Sequence, residues 1–192
     1  MTDHGSAAAS SLMNALRATY DASIAVGYSP LVSTSIYCGE YSKQQILWVM
    51  AGNYAVSQGE YTGAELRQMM EWLVNVKDNG ANPIRHRNYM PVTSGMEYKV
   101  TEYEQGKFRL EELTINGAPL DDTATYTVFV AGTDVWIENE VYCNCPMPEN
   151  LKAKRTEYAI EGAESRSCLK DSLAVSKQFP APSEYLTIVQ GE

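Results

Sequence analysis

Few residues of this chain have the type and spacing that covalent or metal chemistry needs. Only two histidines, His4 and His86, occur among its 192 residues. A serine or cysteine nucleophile requires a base within hydrogen-bond reach, and nothing in the spacing pairs one with either histidine. His86 stands between Arg85 and Arg87, where it reads as part of a solvated basic loop or as a contact for an anion. Asp121-Asp122 is followed by Thr123 and reads as turn chemistry, with carboxylates accepting from nearby backbone N–H groups, rather than as a catalytic acid–base pair. Cys143 and Cys145 are closer together than zinc ligands usually are. A disulfide joining Cys168 to Cys143 or Cys145 is one reading, and free structural thiols, with Cys38 among them, the other. No catalytic residue and no metal site is therefore expected in this chain.

The elements that must position any binding residues can be read from periodicity and capping. Residues 8–18 suit a helix, with Leu12, Ala15 and Leu16 at helical spacing, and Ile24-Ala25-Val26 reads as a short buried strand. Ser42-Lys-Gln-Gln45 and Thr62-Gly-Ala-Glu65 have the form of capping boxes, so each starts a helix. In the second helix Leu66, Met69, Met70, Leu73 and Val76 form an apolar stripe, opposed by Glu65, Arg67, Gln68 and Glu71. Asp78 to Pro83 breaks it. Strands are expected over Met96–Tyr103 and Lys107–Ile115, joined by a turn at Glu104-Gln-Gly106. After Tyr142 the chain reads as loop until a helix over Leu169–Lys177, and Tyr185–Val189 reads as a last strand.

Length and composition bound the rest. At 192 residues, 44% of them apolar, one domain with a proper core is expected, over residues 8–189, with residues 1–7 a tail or linker. Fifteen basic residues against twenty-four acidic ones give a net charge of −9, which argues against nucleic acid or anionic membranes as general partners. No run approaches the ~18 apolar residues of a membrane span. The N-terminus shows neither the basic nor the apolar region of an export signal.

Between Glu111 and Val130 two β-type runs, Leu113–Ile115 and Tyr126–Val130, flank Asn116-Gly117, whose residue types suit a tight hairpin. A strand, Asn-Gly-x-Pro-Leu-Asp, a short turn and Thr-Tyr-x-Val resemble the C-terminal domain of the 5'-nucleotidase family, the domain that holds the nucleotide's base and sugar. Ser11 to Arg17 resembles that family's opening helix, with Asn14 where an Asp is common. Gly39-Glu40 through Gln45 is similar to its Gly-Glu-hydrophobic-Thr helix entry. Thr62-Gly-Ala-Glu-Leu66 is similar to its Leu-Thr-Gly-x-x-Leu signature, and Val92 to Tyr98, with Ser94-Gly95, to its Val-Ser-Gly-Leu-x-Tyr strand. Leu169 to Val189 resembles its closing helix and strand.

The resemblance implies an α+β fold, a mixed sheet packed with helices, that recognises a nucleoside or nucleotide. A separate N-terminal metallophosphoesterase domain, in cis or in trans, would hold divalent metals and do the hydrolysis. No cofactor is implied in this chain. The parent protein would be extracytoplasmic or at the cell surface. By the same resemblance Tyr89 falls near the first of two rings that sandwich the base, with Trp136 or Tyr142 opposite, and Lys77 or Arg85 would face a phosphate. The sequence also departs from the family. The stretch Gly27-Tyr-Ser-Pro-Leu-Val-Ser33 lacks the run of glycines and the arginine of the family's Asn-Gly-Gly-Gly-Ile-Arg, Lys77 stands near a second arginine position, and Thr133 occupies the second ring's position. A domain that keeps the fold without the nucleotide pocket is the alternative these departures suggest.

Overall fold

The computed structural model describes residues 7–28, 40, 42–49, 56–75, 90–104, 107–131, 147–157, 160, 165–176 and 186–191. Along the chain these form α1 (Ala7–Thr19), β1 (Ile24–Tyr28), α2 (Lys43–Val49), β2 (Val56–Thr62), α3 (Gly63–Asn75), β3 (Pro91–Ser94), β4 (Met96–Glu104) and β5 (Lys107–Ile115). Then follow β6 (Ala118–Pro119), β7 (Thr125–Ala131), α4 (Glu149–Glu157), α5 (Ser165–Ser176) and β8 (Leu186–Gln190). The fold is α+β, as expected, but with two mixed sheets rather than one. Their strand orders are β2-β7-β1-β3 and β6-β5-β4-β8.

In the first sheet β1 lies between β7, parallel to it, and β3, antiparallel. Ile24, Ala25 and Val26 are fully buried, and a strand buried on both faces reads as an unbroken apolar run. On one face α1 packs on β1 and β3 and against α5. Tyr20, at the end of α1, stacks on Phe129 of β7 with ring centroids 4.7 Å apart. Its carbonyl accepts from the side-chain amide of Gln58 at 2.7 Å, which ties α1 to β2. The Cys168 thiol is buried and free, and it donates to the Tyr20 hydroxyl at 3.7 Å. The expected disulfide from Cys168 is therefore not formed, and Cys38, Cys143 and Cys145 lie outside the described residues. Burial, and then the Cys168 contact, push the pKa of the Tyr20 hydroxyl up to about 12.

Helix α3 bridges the sheets, contacting β2 and β3 of one and β5 of the other. Its predicted stripe is core, with Leu66, Met69, Met70 and Leu73 all buried; Val76 lies outside the described residues. Its capping box is formed: the Thr62 N–H donates to the Glu65 carboxylate at 2.8 Å and the Glu65 N–H to the Thr62 hydroxyl at 3.2 Å. The box at Ser42 and Gln45 forms in the same way. At the other end of α3 the Asn75 amide donates to the Phe108 carbonyl at 2.9 Å and accepts from the Phe108 N–H at 3.2 Å, covering part of the otherwise open edge of β5.

The Asn116-Gly117 turn has positive φ at both residues, 50° and 80°, as a two-residue hairpin requires. It pairs β5 with the two-residue β6, however, and not with β7. After β6 the chain crosses to the other sheet, where β7 pairs with β2 from Thr62↔Thr125 to Val56↔Ala131. The crossing is the Asp121–Ala124 turn. The Asp121 carboxylate accepts from the Thr123 N–H and hydroxyl at 2.9 and 2.7 Å, which hold its pKa below the usual carboxylate range. Asp122 pairs with Arg67 at 2.9 Å. Both aspartates are thus structural.

That turn is clasped to the start of α3. Gly63 N–H donates to Ala124 C=O and Ala64 N–H to Asp122 C=O, each at 3.0 Å. A β-carbon on Gly63 would overlap the Asp121 carbonyl and lie 2.8 Å from the Asp122 Cα. Gly95, between β3 and β4, has φ +79°, and a β-carbon there would overlap the Ser23 carbonyl. Beside it the Ser94 hydroxyl donates to the Asn14 side-chain oxygen at 2.6 Å.

Besides β6, two elements were not expected. Strand β2 hides its pattern, since its buried positions include Ser57 and Gly59. Helix α4 lies in the stretch read as loop, because Leu151 is its one buried apolar side chain among those described. Its signal is electrostatic, with Glu149 in the first turn and Lys154 and Arg155 in the last, each charge opposing the helix dipole at its own end.

The clasp makes the two glycines of this region unequal. Gly63→Ala, which forces backbone apart, should cost about 2–3 kcal/mol of unfolding free energy in urea titrations. Gly117→Ala, with nothing within 4 Å of the added carbon but a left-handed backbone, should cost only about 1 kcal/mol.

The Glu65 carboxylate gives a pH prediction. Burial pushes it up, but bonds from Lys154 and from the Thr62 N–H outweigh this and hold it below the ordinary value. A depressed carboxylate stabilises the fold above its unfolded pKa of about 4.3, and that contribution is lost as pH falls through the folded value. Glu65→Gln should therefore lower stability at pH 7 and flatten its loss below about pH 4.

Candidate functional site

The first sheet brings four strand ends to one edge. Parallel β1 and β7 finish there, at Tyr28 and Ala131, and their antiparallel partners β3 and β2 begin there, at Pro91 and Val56. Register places Tyr28 opposite Pro91 and Ala131 opposite Val56, with Val26 opposite Val130 between them. The buried side chains Val26, Val56, Met90, Val92 and Ala131 lie at or next to these ends.

Every residue that the sequence nominates for ligand binding belongs to a segment that joins this edge. Lys77, Arg85 and Tyr89 lie between the end of α3 and Met90, and Trp136 and Tyr142 follow Ala131. All five lie outside the described residues, as do both histidines and Thr133.

The backbone beside Tyr89 is fixed from the second sheet. Tyr98, on β4, is buried, and its hydroxyl donates to the Pro91 carbonyl at 2.7 Å. The Thr93 hydroxyl likewise donates to the Met96 carbonyl at 2.5 Å. Strand β3 therefore enters the sheet with its first carbonyl satisfied by a side chain rather than by water. Tyr98 stands at the tyrosine of the Val-Ser-Gly-Leu-x-Tyr resemblance, but the motif does not reveal that its hydroxyl supports this edge through a backbone carbonyl seven residues away.

A concave region lies elsewhere, as an open groove of about 350 Å³ between α3 and the β4–β5 hairpin, lined by Glu71, Asn75, Tyr103, Phe108, Arg109 and Leu110. Two of its polar groups are already engaged, Asn75 by the Phe108 backbone and Arg109 by Glu111 at 2.9 Å. Among the described residues no group of three or more His, Cys, Asp or Glu side chains could hold a metal ion. No described helix is long and apolar enough to cross a membrane.

Comparison with known proteins gives this arrangement its context. The family model described as "5'-nucleotidase, C-terminal domain" matches residues 3–133, while no curated protein sequence matches the chain. A 5'-nucleotidase precursor from Thermus thermophilus superposes with a TM-score of 0.72 at 16% identity, over 100% of this chain and 37% of that one. The NAD nucleotidase of Haemophilus influenzae gives 0.72 at 14% identity, over 98% of this chain and 34% of that one. A sulfate thiohydrolase, SoxB, from Thermus thermophilus gives 0.65 at 15% identity, over 94% and 31%. The chain thus spans about a third of the length of these solved structures. The matched region runs from α1 through the Gly63 clasp to the end of β7, and on that match the chain belongs to the 5'-nucleotidase C-terminal domain family.

Proposed function

We propose that this chain is the substrate-recognition domain of a 5'-nucleotidase-like phosphoesterase and binds a nucleoside or nucleotide at the Tyr28–Val56–Pro91–Ala131 edge of the first sheet. The observation that carries the reading is topological: two neighbouring strand ends at that edge, Pro91 of β3 and Ala131 of β7, are the attachment points of the segments bearing Lys77, Arg85, Tyr89, Trp136 and Tyr142. Tyr89 would stack on one face of the base and Trp136 or Tyr142 on the other. Stacking suits this task because every base has a π-face. Lys77 or Arg85 would meet the phosphate. A separate metallophosphoesterase domain would supply the metals that generate the attacking hydroxide and neutralise developing charge, and the chain's own part would be to hold and orient the substrate. The shorter span of this chain relative to the solved structures supports a partner domain.

One sequence observation favours a second reading. Gly27 to Ser33 contains no arginine and only one glycine, so neither a bidentate phosphate clamp nor a close backbone approach is available from that stretch. A domain that keeps the fold but serves as a binding or packing module would tolerate both losses.

An NMR titration of the chain with adenosine and AMP at millimolar concentration separates the two readings. Saturable shifts are expected for both ligands, larger for AMP. Tyr89→Ala should weaken binding by about 1–3 kcal/mol, the worth of one stacked base. Absence of saturable shifts with either ligand, or shifts unchanged in Tyr89→Ala, would contradict the proposal. Tyr98→Phe, which strands the Pro91 carbonyl, should cost about 1–2 kcal/mol of stability and weaken adenosine binding several-fold while leaving the sheet folded.

A further inference from the structure

Helix α4 is nine residues long, too short to persist alone in water, and its apolar anchor is small. Among its described side chains Leu151 and Arg155 are buried, while Glu149, Asn150 and Ala153 are exposed. Polar contacts tie it to α3. The Lys154 ammonium reaches both Glu65 carboxylate oxygens, at 2.9 and 2.7 Å, and sits 5.1 Å from the centroid of the Tyr61 ring. Nearer its start the Asn150 amide donates to the Gln68 side-chain oxygen at 2.9 Å.

The path of the chain adds a second observation. Lys154 lies over the Tyr61 ring of β2, and the Ile160 N–H donates to the Val56 carbonyl at the start of the same strand, at 3.2 Å. Ser57 shares the Tyr61 face by the alternation of a strand. Its hydroxyl is buried without a hydrogen-bond partner, an unfavourable state that water would relieve. This face of β2 thus holds a buried polar group that gains a partner wherever water reaches it.

We infer that α4 is a detachable strap, latched to the first turn of α3 by the Lys154–Glu65 ion pair, that lifts from the Tyr61 face of β2 while both sheets stay folded. The two side chains of the latch are 23% and 24% exposed, so dissolved ions reach them and the latch weakens with salt. Glu65 has a second task in the α3 cap, where the Thr62 N–H remains its donor if Lys154 is removed. Losing the lysine thus releases the strap without releasing the helix start. Segments with few buried apolar contacts open below the global unfolding free energy, and the strap meets that condition.

Native-state hydrogen exchange of the full chain, read by NMR or mass spectrometry, tests this. The amides of α4 should exchange through an opening that leaves β1 and β7 protected. Lys154→Met, which keeps the side chain's apolar stem, should speed α4 exchange by ~5-fold, the effect of a partly exposed ion pair of up to ~1 kcal/mol, and leave the first turn of α3 unchanged. Raising salt from about 0.05 to about 0.5 M should speed α4 exchange in the wild type and add little in the variant. The wild-type salt series needs no variant to fold. Exchange of α4 only as slow as that of β1 and β7, or α4 rates indifferent to both salt and Lys154→Met, would overturn the inference.

Discussion

The close approach of Gly63 to the Asp121–Ala124 turn is the constraint on which the arrangement depends. At this point β2 ends, α3 begins, and the chain arriving from the second sheet enters the first as β7. The turn's carbonyls accept the N–H groups of Gly63 and Ala64, two of the donors that a helix start leaves without intrahelical partners. A side chain on Gly63 would separate the two backbones. The Arg67–Asp122 pair adds a further tie, on the surface and therefore of small worth. The contact fixes the β2–β7 register from Thr62↔Thr125 onward, and that register delivers Val56 and Ala131 together to the far edge of the sheet.

The motifs that most resemble the family are consequently architectural. Thr62-Gly63 and the Asp121-Asp122 turn bind each other, Ser94 binds Asn14, and Gly95 lets β3 turn into β4 beside Ser23. These residues are occupied with holding the chain to itself. Under the proposed function, recognition falls to segments beyond the strand ends, where a change of side chain leaves the clasp undisturbed. The fold itself is shared, at 14–16% identity to this chain, with a 5'-nucleotidase precursor, an NAD nucleotidase and a sulfate thiohydrolase.

Much of the fold is legible in the sequence because its signals are local. Capping boxes at Ser42 and Thr62, the α3 stripe, the Asn116-Gly117 turn and the buried run of β1 each depend on neighbours within a few residues, and each formed. What depends on distant partners is not legible. Two β-type runs on either side of Asn116-Gly117 suggest a pair, yet β6 takes the pairing and β7 goes to the other sheet. Strand β2 buries a serine and a glycine, and α4 is held largely by polar contacts to α3, so neither shows an apolar period. For the candidate site the residue types can be nominated, but their attachment to one edge follows only from the strand order, and Tyr98, although it stands at a motif tyrosine, supports that edge through a backbone atom that the motif does not name.

Photo-crosslinking with 2-azidoadenosine 5'-monophosphate, followed by mass-spectrometric mapping of the labelled peptides, is the most direct measurement of whether that edge binds nucleotide. The account predicts labelling in the two segments that flank the edge, between Asn75 and Pro91 and between Ala131 and Met147, suppressed by excess AMP. Labelling confined to the groove of Glu71, Tyr103 and Arg109, or labelling that AMP does not suppress, would contradict it.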